Sequence, residues 1–245
     1  MSETVLITGA AMRLGAALAK GLAAAGHAVV LHYNTSRQAA EALAGAINGG
    51  GGRAATLGCD LTDRVARAGL VAAAAEPFGP LSVLVNNASQ FIADTADAVP
   101  AENWDAHFAV HVEAPVFLAA RFAAQLPQDR AGNIINMIDE RVLRLSPQYF
   151  SYNLSKSALW TATRNMALHY APRIRVNAIG PGPSLPEVGQ SDAAFEQIQG
   201  RLPLRHGPGT EEFAATALYL LGATSVTGQM IALDGGRHLL GPDIG

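Results

Sequence analysis

The first fifteen residues constrain this 245-residue chain more than any other stretch. Thr4-Val5-Leu6-Ile7 is a short apolar run that breaks at Thr8-Gly9, and from Leu14 onward apolar residues recur at helical spacing. Strand, tight turn and helix in that order open a βαβ unit, the crossover that parallel strands require. Gly9 can take a positive φ, Gly15 lets the helix lie close to the strand, and backbone N–H groups at the helix N-terminus can face a pyrophosphate. Arg13 stands where a third glycine of a dinucleotide turn is expected, so the generic fingerprint is half met.

The same alternation continues along the chain. A helix over 14–25 closes at Gly26, a strand follows over 27–32, then a helix over 36–48, a run of four glycines, and a strand over 53–58. Further strands are expected at 81–85, 132–138 and 173–179. Helices are expected at 104–122, 149–170 and 210–221, with a last strand and turn over 228–236. In the helix at 104–122, Trp104, Phe108, Val112, Val116 and Leu118 are the expected buried positions. The fold class is therefore α/β: one doubly wound Rossmann-type domain over 1–245, with about seven parallel strands and helices on both faces. Hydrophobic residues at 49% and charged residues at 15% exclude disorder, and no apolar run reaches the ~20 residues that span a bilayer, so no membrane partner is expected. Met1-Ser2-Glu3 begins no secretory signal, which points to the cytoplasm. Cys59 is the one cysteine and the seven histidines lack paired spacing, so no metal is expected. A net charge of −3 supplies no global basic field for nucleic acid.

Tyr152 and Lys156 lie four apart on the expected helix and share a face. An ammonium beside a phenol favours the phenolate and eases release of its proton, which makes Tyr152 a candidate proton donor. The second strand ends in His32-Tyr33-Asn34-Thr35-Ser36-Arg37, with no carboxylate to bind ribose hydroxyls. Asn34, Thr35 and Ser36 offer hydrogen bonds there, and Arg13 and Arg37 offer charge to a 2′-phosphate, so NADPH is favoured over NADH. Asp60 admits two readings, a cofactor contact or part of a cap for a helix starting near Thr62.

The Thr8-Gly9 turn with Gly15, Asn86-Asn87-Ala88 after a middle strand, and Tyr152-x-x-x-Lys156 together resemble the short-chain dehydrogenase/reductase family over nearly the whole chain. The resemblance implies that NADPH lies against Gly9, Arg13, Leu14, Asn34, Thr35, Ser36, Asp60, Leu61, Asn87, Ala88, Tyr152, Lys156, Pro181, Gly182 and Ser184. It also implies a variable substrate lid at about 184–201 and a homotetramer that pairs partly through the C-terminal region. His111 falls where the family usually carries an Asn that anchors a water. It can bind a water in its turn or be a structural histidine.

Three residues narrow the resemblance to pteridine reductases and related dihydropterin or dihydrofolate reductases: Arg13, Phe91, and Asp139 in the place of the family's usual Ser, thirteen residues before Tyr152. A flat pterin can stack on Phe91, and Arg13 can reach its polar edge. Reducing a ring C=N needs a proton on nitrogen, which Asp139 can feed through Tyr152. Arg13, Ser89, Phe91, Asp139 and Tyr152 are the expected substrate contacts, and Asp139, Tyr152 and Lys156 the expected catalytic group. Two other functions fit parts of the pattern. A 3-oxoacyl or ketone reductase explains Tyr152 and Lys156 equally well, and a regulatory NADPH-binding protein would need only the cofactor turns.

Overall fold

The computed structural model describes residues 2–187 and 189–241; Met1, position 188 within the expected lid, and the last four residues lie outside the described residues. The strands are β1 (Thr4–Ile7), β2 (Ala28–Tyr33), β3 (Arg53–Gly58), β4 (Val83–Asn86), β5 (Gly132–Met137), β6 (Ile174–Pro181) and β7 (Met230–Leu233). They form one sheet in the order β3-β2-β1-β4-β5-β6-β7, every pair parallel. The helices are α1 (Arg13–Ala24), α2 (Arg37–Gly49), α3 (Arg64–Ala75), α4 (Ala101–Phe108), α5 (Ala114–Gln125), α6 (Phe150–Tyr170), α7 (Asp192–Gly200) and α8 (Thr210–Gly222).

Strands covered on both faces must be apolar at every position, and Val5-Leu6-Ile7 is fully buried for that reason. Alternate side chains enter opposite cores. Val5, Ile7, Val29 and Leu31 pack with Leu18, Leu22, Ile47 and Phe213 of α1, α2 and α8. Leu6, Val30 and Leu84 pack with Leu70, Leu118, Phe122 and Met166 of α3, α5 and α6. The strand order reverses between β1 and β4. In an open α/β sheet that reversal leaves a crevice at the strands' carboxyl ends, and it fixes where a ligand can enter.

The helix expected over 104–122 is not one α-helix. Ala109–Glu113 forms a π turn between α4 and α5 and shifts the buried stripe to His107, Val110, His111, Ala114 and Leu118. Of the expected buried positions only Leu118 is in the core. Trp104 stacks on Phe108 at 4.4 Å, on the outside of the helix. The helix after β3 begins at Arg64, two residues beyond Thr62, and its cap is Asp63, whose Oδ1 accepts from the N–H groups of Val65 and Ala66. Asp60 instead closes the preceding turn, accepting from Thr62 N and Oγ1 at 2.8 Å each. No described helix is long and apolar enough to cross a membrane.

Candidate active site

The crevice at the strand reversal holds two adjoining cavities, of about 520 Å³ and about 300 Å³. The larger follows the first turn. Gly9 has φ +62, and a Cβ on it would stand 2.8 Å from Ala88 Cα; a Cβ on Gly15 would stand 2.2 Å from the Gly9 carbonyl oxygen. Thr8 Oγ1 accepts from the N–H groups of Asn87 and Ala88, and the Asn87 amide donates to the carbonyls of Thr8 and Gly9. These bonds weld the end of β4 to the turn. Gly9 N–H donates to His32 Nδ1 at 3.1 Å, so the opposite ring nitrogen is the donor, to the Cys59 carbonyl at 2.9 Å. Burial holds the imidazole below its ordinary pKa, which suits an acceptor. Arg13 has φ +53, the left-handed region that explains why glycine is expected there.

The N-cap of α1, Met12, places no side-chain acceptor on the first N–H groups of the helix. An uncapped helix N-terminus over a glycine cradle is receptive to phosphate, so these residues fit a dinucleotide. Asn34, Thr35, Ser36, Asp60, Leu61 and Ala88 line the same cavity. Arg37 does not. It pairs with Glu41 on the exposed face of α2, because a first-turn Arg and an acid four residues on are neighbours. The Arg13 guanidinium crosses to the Pro186 carbonyl at 2.9 Å, tying the turn to the segment before α7.

The smaller cavity brings Asp139, Tyr152 and Lys156 together with Arg13, Leu14, Asn87, Ser89, Phe91, Pro181, Gly182 and Ser184. Tyr152 Oη donates to Asp139 Oδ2 at 2.7 Å, and Asp139 Oδ1 accepts from Arg141 N at 2.9 Å. In this geometry the largest influences on the phenol oppose the ionisation that Lys156 is expected to ease. Burial and the Asp139 carboxylate push the Tyr152 pKa well above its ordinary value. Lys156 Nζ is 5.6 Å from the phenol ring centroid and donates to the Met137 carbonyl at 2.9 Å. Its own pKa is pushed down to about 8 by burial, against the pull of Asp139.

Several residues around this centre carry no local pattern that marks them in the sequence. Arg141 lies 5.2 Å from the ring centroids of both Phe91 and Tyr149, which stack at 4.3 Å, and 3.6 Å from Asp139 Oδ2. Glu140 is 1% exposed and ion-pairs with Arg237 Nη1 at 3.2 Å. Burial and the neighbouring Asp139 raise its pKa to about 7. Phe91, the expected stacking ring, stands perpendicular to Tyr152 at 4.8 Å. His111 meets protein groups at both ring nitrogens: Ser155 Oγ at Nδ1, and Ser89 Oγ and Gln90 N at Nε2. Of its two readings the structural one fits this arrangement. Within the expected lid, Phe195 and Ile198 of α7 close the far wall.

A family model described as enoyl-(acyl carrier protein) reductase matches residues 9–238. The crystal structure of FolM alternative dihydrofolate reductase 1 from Brucella canis, complexed with NADP, is 48% identical. It matches with a TM-score of 0.95 over 99% of this chain and 97% of that one. A short-chain dehydrogenase/reductase from Serratia marcescens is 30% identical, with a TM-score of 0.90 over 96% of this chain and 98% of that one. Dihydromonapterin reductase from Klebsiella pneumoniae is 30% identical over 239 residues, covering 96% of each protein.

Proposed function

The chain belongs to the short-chain dehydrogenase/reductase family, and on that premise we propose that it is an NADPH-dependent reductase of a pterin, dihydropterin or dihydrofolate ring. The observation that carries this reading is the 2.7 Å hydrogen bond from Tyr152 Oη to Asp139 Oδ2. A hydroxyl in place of Asp139 would leave one titratable oxygen beside the substrate. A carboxylate makes a pair that holds one proton as described and two when Asp139 is protonated. The pair can then release one proton to a ring nitrogen and keep the other to hold itself together.

A reduced nicotinamide bound in the crevice supplies the hydride for the ring carbon. Tyr152 hands its proton to the ring nitrogen and recovers one from protonated Asp139. Lys156, anchored on the Met137 carbonyl and 5.6 Å from the phenol ring centroid, would add positive charge near the phenol and would hold the ribose of the bound cofactor. Phe91 offers an aromatic plane to the flat substrate, with Ser89 and Arg13 at its polar edge. The carboxylate-free turn at Asn34, Thr35 and Ser36 supports the phosphorylated cofactor, as does the NADP in the Brucella canis relative. The family resemblance supports a homotetramer, and the exposed Trp104, Phe117, Leu154 and Leu168 on α4, α5 and α6 are apolar surface available to it.

A panel of dihydrobiopterin, dihydromonapterin, dihydrofolate, a simple ketone and a 3-oxoacyl thioester, followed by loss of NADPH absorbance, tests the reading. Turnover of the pterins or the folate is expected. Turnover confined to the ketone or thioester would transfer the site to a carbonyl substrate, and no turnover with any of them would leave a cofactor-binding regulator.

A further inference from the structure

The loop from Asn87 to Ile92 carries Phe91 but belongs to no strand, so its backbone N–H groups need partners from elsewhere. Thr8 Oγ1 accepts from Asn87 and Ala88, and two histidines accept from the residues on either side of Phe91. Gln90 N–H donates to His111 Nε2 at 3.0 Å, and Ile92 N–H donates to His107 Nε2 at 3.3 Å. These are the two amides that flank Phe91. On the opposite side of the imidazoles, His111 Nδ1 is 2.8 Å from Ser155 Oγ and His107 Nδ1 is 2.7 Å from Ser151 Oγ. Both rungs are four residues apart on each helix, and the two rings lie 5.5 Å apart and nearly parallel.

The protons in this ladder are assigned twice over. Ser155 spends its hydroxyl proton on the Tyr152 carbonyl at 2.7 Å, and Ser151 spends its own on Asp94 Oδ2. Each serine can therefore only accept from the histidine, which places the imidazole proton on Nδ1. The loop amides independently call for a lone pair on Nε2, which at His111 also faces the Ser89 hydroxyl at 2.9 Å, a group able to donate to it. Both lines give the same neutral tautomer, and a protonated ring would confront a loop N–H with another N–H. Both histidines are fully buried. Burial and Lys156 of α6 depress both pKa values, with His107 adding to the effect on His111 and Asp94 opposing it on His107. Both rings also meet Tyr152 edge-on, at 5.8 Å and 5.3 Å.

We propose that His107 and His111 are positioning residues, a neutral two-rung ladder that sets the Phe91 ring relative to Tyr152 and so fixes the plane on which a flat heteroaromatic substrate is held. The inference rests on the stacking role of Phe91 in the proposed function. His107 stands on α4 and His111 within the π turn, and they meet Ser151 and Ser155, which are likewise four residues apart on α6.

The first test uses the wild-type protein and no substrate. In long-range 1H–15N spectra of histidine-labelled enzyme, His107 and His111 should both appear as Nδ1–H tautomers with an unprotonated Nε2. They should remain so across the range around ~6.5 where an ordinary histidine titrates. An Nε2–H tautomer, or ordinary titration, at either residue overturns the ladder. The second test is kinetic. His111→Phe should raise KM for the accepted dihydropterin about tenfold, equivalent to about 1.4 kcal/mol, and leave KM for NADPH within about twofold. His111→Gln, which keeps one acceptor and one donor, should recover most of the loss. In a Phe91→Ala background His111→Phe should add nothing, because the residues act through one another. An additive effect overturns the proposal. If Phe91→Ala alone leaves KM unchanged, the stacking role fails instead, and the spectra alone decide the ladder.

Discussion

At the scale of single residues, the chemistry turns on where Tyr152 leaves its proton. The phenol faces a carboxylate and is held protonated, so the acid step needs a second proton on the pair. Tyr152→Phe is expected to lower kcat about 10²- to 10⁴-fold, the usual worth of a positioned acid, with NADPH affinity close to unchanged. Asp139→Asn and Asp139→Ser should each lower dihydropterin turnover at least ~10-fold. Wild-type turnover should fall as pH rises, since the pair must recharge before each cycle; a flat profile and full activity in both Asp139 variants would remove its role. Lys156 bears a different cost. The unfolded lysine keeps its proton to about 10.5 and the folded one releases it at about 8, so the unfolded chain binds more protons between those values and stability rises with pH there. A gap of about 2.5 corresponds to about 3 kcal/mol, offset in part by the ~1 kcal/mol bond to Met137 that a substitution would lose. Lys156→Met should therefore stabilise the ligand-free protein by ~1–2 kcal/mol at neutral pH. Thermal unfolding should show the gain fading toward pH 10.5.

At the scale of elements, caps and turns decide what each segment presents to the crevice. Asp63 satisfies two N–H groups of α3, and Asp63→Ala should cost about 1 kcal/mol in urea unfolding. Asp60, which closes a turn outside the helix, should cost less. The turn after β2 sets cofactor choice. With no acid at Asn34 to Ser36, kcat/KM should favour NADPH over NADH by ~10-fold or more, because a charge-assisted phosphate contact is worth more than ~1.4 kcal/mol. Thr35→Asp should reverse the order by repelling the 2′-phosphate. Equal efficiency with both cofactors would count against the reading of this turn. Arg13 joins two elements, since its guanidinium reaches Pro186. Arg13→Ala should consequently loosen the lid as well as weaken NADPH more than NADH.

At the scale of the whole molecule, the expected cofactor, substrate and catalytic contacts other than Arg37 line one of two adjoining cavities at the sheet's reversal point. Segments from both ends of the chain meet there. Glu140, beside Asp139, is tied to Arg237, nearly a hundred residues later, so the C-terminal segment bears directly on the acid loop. The homotetramer implied by the family resemblance predicts a light-scattering mass of four 25.4 kDa chains, with the exposed apolar residues of α4 to α6 as surface it could cover. A monomer at micromolar concentration would overturn the assembly.

The amino-acid sequence by itself determined the alternation of strands and helices and the address of the site, and the structure supplied the strand order. Val5-Leu6-Ile7 reads as a strand covered on both faces, Gly9 answers to a positive φ, Gly15 to the Gly9 carbonyl six residues earlier, and the helical repeat alone makes Tyr152 and Lys156 neighbours. Such features depend on local sterics and periodicity, which is why they are legible without coordinates. The tertiary structure decided the partners. That Tyr152 bonds Asp139, that Lys156 turns to Met137, that Asp63 and not Asp60 caps α3, and that His107 and His111 hold the amides flanking Phe91 all depend on side-chain direction. Most of these contacts also depend on which distant segments the crossovers bring together. A π turn of five residues rotates the buried face of a long helix without altering the character of its composition, so nothing in the local pattern of Trp104 to Leu118 could reveal it. Hydrogen-bond geometry is sensitive to fractions of an ångström, and only the packed chain sets distances that finely.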